Sequence, residues 1–291
     1  MIRIVNQGGL GNQLFIWNAA REIASMYQDK VTIIQVRRSF FKAPMRPPIK
    51  VLESYCDHNI IIKYSLWINY LLKIIDKTNS KFPRLSLSLK KLFQLQEVSN
   101  HEAIPSLTYP KPKWIRGFFQ DGESVWKNRN VLNLEIGEFL NKIRTELPEI
   151  LGTFISTEYQ AFHIRRGDYR IDESKWGLLS LSYYYKNKHE SFPILVSSDD
   201  SDIAKELEGL FPKFTFLNPM QYSEWETFLC LASSRYLLMA NSTFSWWASL
   251  FVSLRNGTTV APRPWFYNMD ISSSYLVRPG IQFEKSLFET K

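Results

Sequence analysis

The sequence predicts an α/β protein built on parallel β-sheets, and three observations lead to this fold class. Short apolar runs of strand length alternate with helical stretches over the second half of the chain, as in strands joined by crossover helices. A strand, a glycine turn and a helix open the first half. The length of 291 residues suits two domains of ordinary size.

The composition indicates a globular protein, with 45% hydrophobic and 15% aromatic residues. No apolar run approaches the roughly 18 residues that a membrane span needs. The chain enters a strand-like run at residue 2, so we expect no secretory signal. Cys56 and Cys230 lie far apart, without a zinc-ligand spacing. This excludes a disulfide framework and a structural zinc, and it favours the reducing cytoplasm.

The net charge of +8 is unevenly distributed. Between Lys30 and Lys91, 13 Lys or Arg residues oppose three acids, whereas 23 basic residues oppose 25 acids in the remainder. Such a basic segment favours an anionic partner: nucleic acid, a membrane surface or a phosphorylated substrate. No nucleic-acid-binding motif accompanies it, so nucleic acid ranks last.

The first elements form a strand, a turn and a helix. The strand covers residues 2–5, the turn contains Gly8, Gly9 and Gly11, and the helix spans about 12–28. This arrangement brings backbone N–H groups against an anion. The dinucleotide fingerprint is incomplete because Leu14 takes the place of its third glycine. A second strand is predicted over 31–36.

The next segment allows two interpretations. Prolines between residues 44 and 48 mark a loop, and Leu66–Asp76, if helical, is apolar except for a narrow polar stripe. Such a helix is either buried on most sides or lies against a membrane interface. The many lysines that follow it would suit an anionic bilayer, so both interpretations stay open.

The remaining elements follow in regular alternation from about residue 114. Strands are predicted over 114–121 (with a turn), 159–164, 193–197, 214–217, 235–240 and 258–261. Helices are predicted over 135–147, 182–189, 202–210, 223–233 and 244–254, and Trp246 and Trp247 are expected to pack on a helix face.

Three polar clusters each follow a predicted strand: His163–Asp168, Ser197–Asp202 and Asn241–Ser245. Because the ends of parallel strands meet at one edge of a sheet, we expect these clusters to line a single cleft. The adjacent arginines 165 and 166 favour a phosphate or carboxylate partner, although a surface salt-bridge cluster is the alternative. Strand alternation places Arg165 on the same face as His163 and Arg166 on the other, so the two should differ in role.

The other two clusters also have two interpretations each. Ser242 or Thr243 is either a helix N-cap or a phosphate ligand, and both can hold together. Asp200 and Asp202 form the Asp-x-Asp pattern with which metal-dependent sugar transferases hold a cation. The alternative is an N-cap with acids favoured by the helix dipole.

The chain resembles the α-1,2-fucosyltransferases of glycosyltransferase family 11. Four blocks carry the resemblance, in family order and over nearly the whole chain: Gly8–Phe15, His163–Tyr169, Val196–Asp200 and Asn241–Ala248. Ile16 departs from the glutamine that the family commonly has. The segment from about residue 40 to 110 matches no block.

The resemblance implies an α/β protein of GT-B architecture, with two Rossmann-like domains facing across a cleft. Residues 1–150 would form the acceptor-side domain, with a basic, aromatic insertion near 40–110. Residues 151–291 would form the domain that binds GDP-fucose, with the tail after about 270 packing back on the first domain. The resemblance also implies inverting transfer without a metal or other cofactor.

The same resemblance implies roles for individual residues. Arg165 or Arg166 would stabilise the leaving diphosphate. The resemblance does not identify the general base; Asp168 is nearest to the arginines in the sequence and could instead brace them, and Asp172 and Glu173 in the following loop are the alternatives. The residues implied in binding GDP-fucose are Gly9, Gly11, Asn12, His163, Asp199, Asp200, Asn241, Ser242, Thr243 and Ser245. No metal ligand is implied.

The expected function is transfer of L-fucose from GDP-β-L-fucose to a glycan hydroxyl, expected to be O2 of a galactose, in bacterial surface-polysaccharide or O-antigen synthesis. A lipid-linked acceptor would place the protein in the cytoplasm, peripherally at the inner face of the inner membrane. The rival hypotheses are a metal-dependent transferase that uses Asp200 and Asp202, and a non-catalytic nucleotide- or glycan-binding module.

Overall fold

A computed structural model describes residues 1–35, 49–56, 60–98, 112–267 and 273–289. The chain divides into two compact units, Met1–Ile136 and Gly137–Lys291. Each unit contains one parallel sheet, so the prediction of an α/β chain with two Rossmann-like parts is confirmed. The division falls inside a helix, earlier than the boundary predicted near residue 150, and the acceptor-side and donor-side roles stay predictions.

The first unit has a five-stranded sheet in the order β3-β2-β1-β5-β4. Its strands are β1 (Ile2–Asn6), β2 (Val31–Gln35), β3 (Ile60–Tyr64), β4 (Leu95–Glu97) and β5 (Trp114–Arg116). Its helices are α1 (Leu10–Tyr27), α2 (Leu66–Lys81), α3 (Pro83–Phe93), α4 (Gly122–Lys127) and the first part of α5 (Arg129–Glu146). All strand pairs are parallel.

The core of the first unit lies on both faces of this sheet. Ile4 and Val5 of β1 point to opposite faces of the sheet and are both fully buried, as parallel strands covered by helices require. On α1, Trp17 is also fully buried, and its indole N–H donates to Glu135 of α5 over 3.2 Å. Arg21 forms a buried ion pair with the same carboxylate, which fixes α5 against α1.

The segment predicted as an insertion near 40–110 contributes to the sheet itself. Its described residues supply β3 and β4, and the helices α2 and α3 connect them. The sequence did not predict α3 or β4, because α3 alternates Leu with Ser and β4 is only three residues long. The predicted proline loop at residues 44–48 lies outside the described residues.

The second unit has a six-stranded parallel sheet in the order β11-β10-β9-β6-β7-β8. Its strands are β6 (Gln160–Ile164), β7 (Ile194–Ser198), β8 (Thr215–Leu217), β9 (Tyr236–Leu238), β10 (Thr258–Arg263) and β11 (Ile281–Lys285). Its helices, besides the end of α5, are α6 (Glu149–Ile155), α7 (Glu173–Trp176), α8 (Leu181–Asn187), α9 (Ile203–Glu208), α10 (Glu224–Ser233) and α11 (Thr243–Leu254).

The alternation of strands and helices predicted for this half is confirmed, with one addition at its end. Residues 281–285 pair with β10 as the edge strand β11, and packing of the tail after about residue 270 on the first domain stays a prediction. Trp246 and Trp247 on α11 are fully buried, as predicted, and the indole N–H of Trp246 donates to the carbonyl of Leu276 over 2.8 Å.

Among the helices of the described ranges, none combines the length and the apolar character that a bilayer-spanning segment requires.

Candidate functional site

The three predicted polar clusters follow three neighbouring strands of the second sheet. β6 pairs with β7 on one side and with β9 on the other, so their carboxyl ends lie side by side. The expectation that the clusters share one edge is confirmed. Between β6 and β9 the order of strands reverses, and ligands of open α/β sheets bind at such a switch point. The loops after β6 and β9 therefore frame the candidate site.

Asp199 fixes the loop that carries the two arginines. Its Oδ1 accepts the backbone N–H groups of Arg166 at 2.8 Å and Gly167 at 3.0 Å. Its Oδ2 lies 3.0 Å from Nη1 of Arg165. A Cβ atom on Gly167 would lie 2.7 Å from Oδ2 of Asp199, so only glycine allows this close approach. Asp199, predicted to bind the donor, thus uses both oxygens to hold the loop.

Arg165 lies between two carboxylates and over an aromatic ring. Its Nη2 is 2.8 Å from Oδ1 of Asp168, and its guanidinium lies 5.7 Å from the ring centre of Tyr169. Burial alone would lower the pKa of Arg165, but the charges of Asp199 and Asp168 outweigh it and raise the pKa. Arg165 is therefore a fixed, permanent cation with 17% of its side chain exposed.

Arg166 has different partners, as strand alternation predicted. Its guanidinium pairs with Glu289 near the end of the chain and lies 3.5 Å from Glu206 of α9. Only 6% of the side chain is exposed, and its Nε has no hydrogen-bond partner among the described residues. Burial raises the pKa of Glu289, against the opposing charge of Arg166. Arg166 therefore joins the loop to α9 and to the C-terminal segment.

His163 is a neutral imidazole at the end of β6. Its ring centre lies 5.4 Å from that of Phe244 on α11, across the switch point. Burial and then the charge of Arg165 lower its pKa to about 3, although Asp199 acts in the opposite direction. Its Nδ1 is buried and has no hydrogen-bond partner within the described ranges.

This lowered pKa makes stability depend on pH. The unfolded chain takes up a proton on His163 near the ordinary pKa of about 6.5, whereas the folded chain does so only near 3. The contribution of His163 to the free energy of unfolding is therefore complete above the pKa that His163 has in the unfolded chain. It is lost as the pH falls toward the pKa that His163 has in the folded chain. We expect the urea midpoint of the wild type to fall between these values more steeply than that of His163→Gln. Parallel pH profiles would contradict this assignment.

The loop after β9 supports α11 and contacts the β6 loop. Ser242 is the N-cap, and its Oγ accepts the N–H of Phe244 at 3.3 Å. Ser245 is fully buried and bonds to the carbonyls of Ala240 and Ser242, whereas Thr243, the first residue of α11, is half-buried. The N-cap interpretation is confirmed, and a phosphate role for these hydroxyls stays a prediction.

Asn241 connects this loop to the segment after the arginines. Its Nδ2 donates to the carbonyl of Trp176 at 3.0 Å, and its own carbonyl accepts the hydroxyl of Tyr169 at 2.7 Å. The side-chain oxygen is buried without a partner among the described residues. Together with Nδ1 of His163, it places a second unsatisfied polar atom near the switch point.

The acids proposed for metal binding have other partners. Oδ1 of Asp200 accepts the N–H of Asp202 at 3.1 Å, and Oδ2 lies 2.6 Å from Arg170. Asp202 is exposed. In the described part of the chain, no group of three or more His, Cys, Asp or Glu residues is placed to hold a metal ion.

The three candidate proton acceptors lie in the segment after Arg165. Asp168 is half-exposed and paired with Arg165. Asp172 is exposed at the start of α7, and Glu173 is half-buried as its first residue.

The first unit has its own switch point, between β1 and β5. Gly8 has φ +83°, and a Cβ there would lie 2.5 Å from Nδ2 of Asn12, so the turn requires glycine. Gly9 is the N-cap of α1, and Gly11 is buried within it. Oδ1 of Asn12 accepts a hydrogen bond of 2.9 Å from Gln120, which follows β5.

Two polar residues at this edge of the first sheet were not predicted as site residues. Oδ1 of Asn6 and Oε1 of Gln13 are buried without a partner in the described ranges. Nε2 of Gln13 donates to the carbonyl of Gly8 at 3.2 Å. Their positions in the sequence could have identified them, because Asn6 ends β1 and Gln13 lies in the first turn of α1.

Comparison with known proteins gives consistent matches. The model of the family described as "Glycosyl transferase family 11" matches residues 1–274. An α-1,2-colitosyltransferase of Escherichia coli is 26% identical over 284 residues, covering 91% of this chain and 92% of the relative. The O-antigen biosynthesis glycosyltransferase WbnK of Escherichia coli is 32% identical over 164 residues, covering 51% and 54%.

Two solved structures are also similar. The fucosyltransferase NodZ from Bradyrhizobium aligns with a TM-score of 0.46 at 14% identity, covering 86% of this chain and 93% of that chain. The ADP-heptose heptosyltransferase II of E. coli aligns with a TM-score of 0.47 at 10% identity, covering 97% and 89%.

Proposed function

The chain belongs to glycosyl transferase family 11, and we propose that this glycosyltransferase moves L-fucose from GDP-β-L-fucose to a hydroxyl of a glycan. The observation that supports the donor class most strongly is the fixed cation Arg165 at the switch point between β6 and β9. Beside it, His163 and Asn241 leave buried polar atoms for a ligand.

Arg165 is the proposed contact of the β-phosphate. Its partner Asp168 is half-exposed, so a phosphate oxygen can take its place on Nη2 at little cost. Arg166 is more deeply buried and engaged by Glu289 and Glu206, which suits a positioning role. A guanidinium fixed before the donor binds needs no reorganisation as charge develops on the leaving group.

The proposed reaction is a single displacement with inversion. The acceptor oxygen attacks C1 of fucose, the bond from C1 to the phosphate oxygen breaks, GDP departs with the electron pair, and the hydroxyl proton passes to a carboxylate. Asp168 and Glu173 are the proposed candidates for that carboxylate. The pH–rate profiles of Asp168→Asn and Glu173→Gln identify it, because only the loss of the base removes the acidic limb.

The relatives bear on the donor and the acceptor. One is named an α-1,2-colitosyltransferase, and colitose is the 3-deoxy form of fucose. GDP-colitose is therefore the second candidate donor. The other is named for O-antigen biosynthesis, which supports a bacterial surface glycan as acceptor, with O2 of a galactose as the proposed position.

A donor screen tests this proposal. The full chain is incubated with GDP-fucose or GDP-colitose and a panel of galactose-terminated disaccharides, and GDP release and product linkage are measured. We expect GDP release only with an acceptor present, an α-1,2-linked product, and undiminished rates in excess EDTA. Loss of activity in EDTA would favour the metal-dependent alternative, and donor binding without GDP release would favour a binding module. If the donor site hydrogen-bonds the hydroxyl that colitose lacks, kcat/KM for the two donors should differ by about 10⁴-fold in favour of GDP-fucose.

A further inference from the structure

The helices α2 and α3 present an apolar surface to solvent. Ile68 and Leu72 of α2 pack into a core cluster with Val5 and Ile34 of the sheet. Trp67, Tyr70 and Ile74 are instead 58%, 67% and 52% exposed. Their spacing of three and four residues places them on one stripe of the helix.

The turn and α3 continue this surface. Phe82 is 63% exposed between the helices, and Leu92 near the end of α3 is 74% exposed. We call the exposed large apolar residues of this hairpin the α2–α3 face. Its members are Trp67, Tyr70, Ile74, Phe82, Leu85 and Leu92; Leu87 is also exposed but lies on the opposite side of α3 from Leu85. So many exposed apolar side chains on two adjoining helices mark an interaction surface.

The charges around this face have one sign. Between residues 66 and 93 the chain has six Lys or Arg residues and one acid, Asp76. Arg116 holds that acid through contacts of 2.6 and 3.0 Å. Lys77 and Lys81 extend the stripe of Trp67, Tyr70 and Ile74 by further helical turns. The face therefore combines apolar side chains with a positive surround.

A cavity of about 410 Å³ opens beside Trp67 at the start of α2. Arg3 and Lys63 line it together with Trp67 and Trp114. The guanidinium of Arg3 lies 5.1 Å from the ring centre of Trp114, and the two indoles meet edge to face at 6.1 Å. Two cations and two indoles suit the headgroup level of a bilayer, where tryptophan is enriched.

We propose that the α2–α3 face docks on an anionic phospholipid bilayer. The apolar side chains enter the boundary between headgroups and acyl chains, and the basic residues contact lipid phosphates. A second copy of the chain is a poorer occupant, because a twofold contact would place these cations against each other. The inference does not depend on which donor the enzyme uses.

Vesicle flotation of the full chain tests this proposal. We expect binding to vesicles of phosphatidylcholine with phosphatidylglycerol at low salt, and little binding to phosphatidylcholine alone. High salt should release the protein, because the Debye length falls to about 3 Å at 1 M salt. Each lysine near an anionic surface contributes about fivefold, so the Lys77→Glu/Lys81→Glu/Lys91→Glu variant, which also adds three negative charges, should bind at least about 100-fold more weakly.

A second variant and matched controls complete the test. Trp67→Ser/Ile74→Ser/Leu92→Ser should also lose binding, whereas Ile150→Ser/Met220→Ser, at still more exposed apolar positions of the second unit, should bind like the wild type. Lys205→Glu/Lys213→Glu is the matched charge control. Circular dichroism shows whether each variant is folded. If the apolar variant is unfolded, the vesicle binding of the charge variant alone tests the proposal. Absence of wild-type binding at low salt, or a dimer by light scattering that the apolar variant dissociates, would overturn the proposal.

Discussion

Replacing Arg165 by alanine is expected to lower kcat about 100- to 1,000-fold, the loss typical of one preorganised donor to a developing charge. The reason is that the side chain of Arg165 is more exposed than that of Arg166, 17% against 6%, and its partner Asp168 is half-exposed and exchangeable. Arg165→Lys should recover only part of the activity, because an ammonium lacks the paired donors of a guanidinium. Steady-state kinetics with saturating donor and acceptor measure both losses.

Arg166→Ala is the comparison that distinguishes the two arginines. It removes the cation between Glu206 and Glu289, so we expect a lower urea midpoint with a smaller loss of kcat per folded molecule. Arg170→Ala controls for the loss of a cation, because Arg170 is half-exposed and pairs with Asp200. A folded Arg166→Ala protein without activity, together with a nearly normal Arg165→Ala protein, would reverse the assignment.

The second large effect is expected for Asp199→Ala. This change leaves the N–H groups of Arg166 and Gly167 without their acceptor and Arg165 without one of its carboxylates. Lost hydrogen bonds to a charged group cost about 1.5–3 kcal/mol each. Because they share one site and are partly exposed, we expect the free energy of unfolding to fall by about 2–4 kcal/mol, with activity falling in parallel.

Asp199→Asn separates the two functions of this carboxylate. The amide oxygen still accepts the backbone N–H groups, so the loop should persist while the charge beside Arg165 is lost. Asp202→Asn, at an exposed position of the same cluster, should match the wild type. Urea denaturation and kinetics are measured on all three variants. Equal stability of the wild type and Asp199→Ala would show that the loop does not depend on this residue.

The sequence predicted most of the second unit because its local patterns agree with its fold. Buried runs such as β6 and β7 are short and apolar, and helices of regular period separate them. The same pattern predicted that the three polar clusters share one edge. In the first unit, α3 and β4 were not predicted because neither has a clear hydrophobic period. The start of α5 was also mispredicted, because the helix begins at Arg129 and not near residue 135.

The partners within the site could not be predicted in the same way. Arg165 and Arg166 are adjacent in the sequence, and strand alternation predicted that their side chains lie on opposite faces. Nothing local indicated that Arg166 would meet Glu289, which is 123 residues away. Asp199 was predicted to bind the donor because of its motif, whereas its oxygens hold the loop of Arg165. Ion-pair partners depend on the three-dimensional arrangement of distant strands, which residue spacing does not encode.

The separation of Arg166 from Glu289 has a kinetic consequence. The site requires contacts between residues 33, 72 and 123 positions apart, which close only after the strands between them have been made and paired. Contacts of long sequence separation slow folding, since the entropy of closing the intervening chain is lost before the contact forms. Helices and single strand pairs of the second unit can therefore form early, while the arginine loop reaches its final geometry among the last events of folding.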